Sequence, residues 1–146
     1  MVEWDNMNYE YFMKIAIEEA KKGDFPFGAV IVKNDKIISK SHNTLKKLDP
    51  TAHAEVNAIR KACKNLKTRN LSGCHLFVVA EPCPMCFIIS VRVGISKIVY
   101  GVELEDIPKN IQRKEDFKCS FLNKKLGNKI SIVSGILKEE CKRLYL

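Results

Sequence analysis

Two short segments constrain this chain more than anything else in it: His53-Ala54-Glu55 and, further on, Pro82-Cys83-Pro84-Met85-Cys86. A Cys-x-x-Cys pair plus one histidine makes three zinc ligands and leaves a fourth tetrahedral position for water. That open position separates a catalytic zinc from a closed structural one. Cys83 and Cys86 as thiolates and His53 as a neutral imidazole would hold the ion. Glu55 is placed to take the proton of the activated water and pass it on.

The apolar pattern suggests how the two segments are presented. Tyr9, Phe12, Met13, Ala16, Ile17 and Ala20 recur at helical spacing, which predicts an amphipathic helix ending near Gly23. Phe27 to Val32, the turn signal Asn34-Asp35 and Ile37-Ile38 predict a hairpin. Thr51 is placed to cap a second helix, with Ala54, Ala58, Ile59 and Ala62 as its apolar face and His53 in its first turn. Leu76 to Val79 predicts a buried strand running into Pro82-Cys83. Pro84 suits the first turn of a third helix that holds both cysteines near its N-terminus and runs to Arg92 or Val93. Ile98 to Tyr100 and, more weakly, Ile130 to Val133 predict further strands, and the chain from about Ile136 is again helical. Alternating strands and helices indicate a layered α/β fold. With 146 residues the chain fits one domain.

Other uses of the same residues are weaker. A closed Cys₃His site needs a fourth ligand, and Cys74 is the nearest sulfur, but it precedes the apolar strand whereas Cys83 follows it, so the two belong at opposite ends. A Cys-x-x-Cys can also be a redox pair, and a zinc-stabilised binding module without catalysis is a further alternative, though such a module has no use for Glu55. Six cysteines without a secretion signal suggest reduced thiols and a cytoplasmic protein. No stretch has the ~20 apolar residues of a membrane helix. The formal charge of +8 admits an anionic partner without requiring one.

His-x-Glu followed by Pro-Cys-x-x-Cys resembles the zinc-deaminase signature, and at these residues the chain resembles the cytidine and deoxycytidylate deaminase superfamily. Phe25-Pro26-Phe27-Gly28-Ala29-Val30-Ile31-Val32 and Asp49-Pro50-Thr51-Ala52-His53-Ala54-Glu55-Val56 extend the likeness, and look most like bacterial guanine deaminases. The resemblance implies a three-layer α/β/α fold with a five-stranded mixed sheet, in one zinc-dependent deaminase domain over residues 1–146. It implies hydrolytic release of ammonia, with zinc on His53, Cys83 and Cys86, and Glu55 as proton carrier. It implies Asn43 and the backbone near Ala54 as substrate-binding groups, Phe25 and Phe27 as pocket walls, and a homodimer.

On substrate, the resemblance puts a purine base or nucleoside first, guanine ahead of the rest. tRNA adenosine deaminases come second, because Glu103-Leu104-Glu105-Asp106 would repel phosphate. Two departures bear on guanine. Guanine deaminases carry an acid after the strand ending at Tyr100. Here the corresponding region reads Asn110-Ile111-Gln112-Arg113-Lys114, with the acid displaced to Asp116 at best. They also place a C-terminal aromatic over the substrate, a part that Tyr145 is available to play.

Overall fold

Alternation of apolar side chains along the strands builds two separate cores. The computed structural model describes residues 2–111 and 117–146, with side chains from residue 8 onward. Strand β1 (Gly28–Lys33) turns Ala29 and Ile31 to one face and Val30 and Val32 to the other. Strand β3 (His75–Ala80) does the same with Leu76 and Val78 against Phe77 and Val79. Both faces are apolar, as a sheet covered on both sides requires.

The sheet has five strands in the order β2-β1-β3-β4-β5, with β2 Lys36–His42, β4 Lys97–Val102 and β5 Ser131–Val133. β1 is antiparallel to both β2 and β3, and β3, β4 and β5 run parallel, so the sheet is mixed. Helices α1 (Val2–Ala20) and α5 (Lys138–Arg143) pack on one face. Helices α2 (Ala54–Leu66), α3 (Pro84–Val93) and α4 (Cys119–Lys125) pack on the other. The result is the expected three-layer α/β/α architecture.

Several local expectations hold for stated reasons. The β1–β2 hairpin turns at Asn34 and Asp35, both at positive φ, a conformation these two residue types tolerate. Gly28 opens β1 where α1 crosses it, and a Cβ there would collide with the Ala16 carbonyl oxygen. Pro84 is the first residue of α3, and Gly94 ends that helix in the left-handed region.

Three expectations change. Thr51 does not cap α2; His53 does. Thr51 spends its hydroxyl and its N–H on Asp49 Oδ1, at 2.6 and 2.9 Å, so the chain stays in a turn and enters the helix two residues later. His53 therefore stands at the cap rather than inside the first turn. Helix α1 begins well before Tyr9. Helix α4 was not anticipated. Among the described residues, no helix is long and apolar enough to cross a membrane.

Candidate active site

The two helix starts meet at the carboxyl end of the parallel strands, the end where α/β folds place their ligands. His53 caps α2 and Cys83 caps α3, both in extended conformation, and Cys86 lies in the first turn of α3. His53 Nδ1 is 3.6 Å from Cys83 Sγ and 3.5 Å from Cys86 Sγ, and the three donor atoms lie within 4.8 Å of one another. A tetrahedral zinc with bonds of about 2.3 Å to sulfur and 2.0–2.1 Å to nitrogen separates neighbouring S and N ligands by about 3.6 Å. The donor set fits that ion in type and in spacing. Cys74 is not part of the group.

Electrostatics favour the same use. A hydrogen bond from Cys86 draws the Cys83 thiol down to about 4, against its burial, with help from His53. Cys86 is pushed up as the protonated member of the pair, and burial adds to this. A cation between the sulfurs would deprotonate both. Glu55 is the second residue of α2 and only 8% exposed. Burial pushes its carboxyl up to about 7, and the nearby Cys83 charge adds to the shift. A carboxyl near 7 can both take and return a proton at neutral pH.

A cavity of about 420 Å³ opens beside these groups, within the range of small-molecule sites. All the residues expected in the site reach it except Cys86, which is fully buried: Phe25, Phe27, Asn43, His53, Ala54, Glu55 and Cys83 line it. Asn43 is 2% exposed, and its amide clamps Phe25: Nδ2 donates to Phe25 O at 2.6 Å and Oδ1 accepts from Phe25 N at 3.0 Å. It therefore holds a wall of the cavity as well as facing it. Asn57 ties the other side of the same loop, donating to His42 O at 2.9 Å and Thr44 Oγ1 at 3.1 Å.

Sequence inspection missed Glu81. This residue lines the cavity at 2% exposure. Oε1 accepts from Leu104 N at 3.2 Å and Oε2 from Cys119 N at 2.8 Å. It thus staples both ends of the segment that brings Ile111 to the cavity wall. The signal was a carboxylate beside Pro82, one residue outside the stretch read for metal ligands.

Tyr145 does not line the cavity. Its hydroxyl donates to Pro26 O at 2.8 Å and its ring packs on Phe27 at 5.6 Å, so it braces the wall from behind. The acids after Tyr100 are engaged: Glu103 accepts from the Tyr100 hydroxyl at 2.9 Å, Glu105 pairs with Lys118 at 2.9 Å, and Asp106 lies 3.9 Å from Lys138. Gln112, Arg113, Lys114 and Asp116 lie outside the described residues.

Residues 6–102 match the family model of the cytidine and deoxycytidylate deaminase zinc-binding region. The chain belongs to this family of zinc-dependent deaminases. A tRNA-specific adenosine deaminase of Buchnera aphidicola subsp. Baizongia pistaciae is 41% identical over 140 residues, covering 92% of this chain and 84% of that protein. A guanine deaminase of Bacillus subtilis is 51% identical over 126 residues, covering 82% and 78%. A solved structure from work on tRNA:A34 deaminases superposes with a TM-score of 0.78 at 30% identity, covering 92% of this chain and 98% of that one. Deamination is common to these names, and zinc as the cofactor rests on the family description together with the His53, Cys83 and Cys86 group.

Proposed function

We propose that this deaminase acts on a tRNA adenosine, as the relatives named tRNA-specific adenosine deaminase suggest, presented in a single-stranded loop, rather than on free guanine. One observation carries the choice. Among the described residues, the carboxylates lining the cavity are Glu55 and Glu81. Glu81 has both oxygens on backbone N–H groups, and Glu55 is needed for proton transfer. Guanine presents an N1–H and a 2-amino group that call for an acceptor, whereas adenine has neither donor. The obstacle to RNA also shrinks. Glu105 and Asp106 face Lys118 and Lys138, and Glu103 faces the Tyr100 hydroxyl, so the acidic triplet is largely offset within the fold. The guanine deaminase likeness supports guanine as the second choice.

In this scheme His53, Cys83 and Cys86 hold the zinc, which supplies an activated water when bound. Glu55 would carry two protons in turn: the first from the attacking water to the ring nitrogen, the second from the added hydroxyl to the amine that leaves as ammonia. The N–H groups at the start of α2, near Ala54, have no partner within the helix and can orient the base. Phe25 and Phe27 wall it in, held by Asn43 and Tyr145. Residues 1–146 act as one domain, in the cytoplasm and as a homodimer. Ammonia release from an adenosine-containing anticodon stem-loop, free adenosine, guanine and cytidine tests the proposal. Turnover of the stem-loop supports it, and turnover of guanine alone overturns it.

A further inference from the structure

Water-exposed aromatic rings that touch each other are costly surface, and such a pair is formed by Phe117, just before α4, and Phe121 within it. Phe117 is 49% and Phe121 45% exposed, and their rings stack at 5.4 Å with an interplanar angle of 13°. Lys125 Nζ lies 5.7 Å from the Phe121 ring centroid. Among the described residues, neither Lys124 nor Lys125 has a carboxylate at ion-pair distance, whereas Lys118 is engaged by Glu105. The pair also has a fixed relation to the cavity. Cys119 N is bonded to Glu81, which lines the cavity, and Phe117 is two residues away. Two residues of extended chain span at most about 7 Å, so Phe117 stays within about one nucleotide step of Cys119.

We propose that Phe117 and Phe121, with Lys124 and Lys125, form a stacking shelf for an RNA base next to the one deaminated. This rests on the RNA reading above. An outward aromatic face accepts any base without reading its edges, and adjacent cations neutralise the backbone phosphate. Charge complementarity selects this occupant: among the described residues Lys124 and Lys125 are cations with no acidic partner, and RNA supplies both the rings and the anions. Glu81 ties the start of α4, and with it the shelf, to the cavity wall, so the flanking base is gripped while the target base enters.

The test uses zinc-loaded protein, an adenosine-containing anticodon stem-loop, and the variants Phe117→Ala/Phe121→Ala and Phe117→Trp/Phe121→Trp. The shelf predicts that the alanine pair raises Kd for the stem-loop by roughly 5- to 150-fold, the range of one lost base stack. The single-turnover rate at saturating RNA, the zinc content and Tm should stay unchanged, and the tryptophan pair should retain affinity. Lys125→Gln should lower the slope of log Kd against log salt by about 0.7. If wild type deaminates the stem-loop and the alanine pair binds it equally well, the shelf is wrong and the RNA reading stands. If wild type does not deaminate the stem-loop, the RNA reading fails and the shelf goes with it. If affinity falls only because the alanine pair loses zinc, unfolds or changes its sedimentation from dimer to monomer, the rings serve the fold or a contact between copies, and the shelf is overturned.

Discussion

At the residue scale, the chemistry depends on where single carboxylates and amides are spent. Glu55 is buried and lifted to about 7, which suits a group that gains and loses a proton in each cycle. Glu55→Gln keeps the shape and removes the proton transfer. Zinc content should be unchanged, and the rate of ammonia release should fall by about 10²- to 10⁴-fold. Asn43 shows a different economy. Its amide satisfies both backbone groups of Phe25, so Asn43→Ala strands them. Thermal or denaturant unfolding should show a loss of about 1–3 kcal/mol, accompanied by a higher KM as the Phe25 wall loosens. The ligand triad and Glu55 were legible because zinc chemistry restricts residue type and spacing. Glu81 was not, because a buried carboxylate that accepts two backbone N–H groups has no spacing signature of its own.

At the scale of elements, close approach between helix and strand leaves checkable marks. Gly28 is where α1 meets β1, with Ala16 and Ala20 against it. Gly28→Ala should cost about 1–3 kcal/mol by overpacking, read as a lower Tm with the zinc site intact. The same helix carries Glu19, 5% exposed, with Lys22 Nζ at 2.9 Å and His42 Nδ1 at 3.2 Å. Burial works to raise its carboxyl, but the hydrogen bonds and charges of Lys22 and His42 outweigh it and hold it below the ordinary 4.5. A lowered folded value means that the stabilisation is complete above pH 4.5 and is lost as pH falls through the folded value. Glu19→Gln should therefore flatten the acid side of the Tm–pH curve. Long periodic elements such as α1, and the Asn34-Asp35 hairpin, could be read from sequence because local preference and tertiary packing agree there. Helix α4 could not: seven residues are too few to show a period, and it is held by Glu81 across the fold. Thr51 misled for a local reason, since Asp49 two residues earlier claims its hydroxyl before any helix can.

At the scale of the whole molecule, zinc joins two helices that are otherwise separate in sequence. Chelation should lower Tm, and stoichiometric zinc should restore it, because an ion that binds only the folded state stabilises that state. The net charge of +8 and the engaged acids after Tyr100 make an anionic macromolecule a more natural partner than sequence alone suggested. In the linear chain Glu103, Glu105 and Asp106 read as a repulsive block; in the fold each has a partner drawn from a distant or neighbouring residue. That difference favours the proposed order of substrates without changing the reaction.

The most direct measurement sets the two substrates against each other on the same zinc-loaded preparation: kcat/KM for ammonia release from an adenosine-containing anticodon stem-loop and from guanine. The account predicts a clear preference for the stem-loop, with inosine as the product and Glu55→Gln slower by about 10²- to 10⁴-fold. Efficient guanine turnover with no inosine formed in the RNA would contradict it.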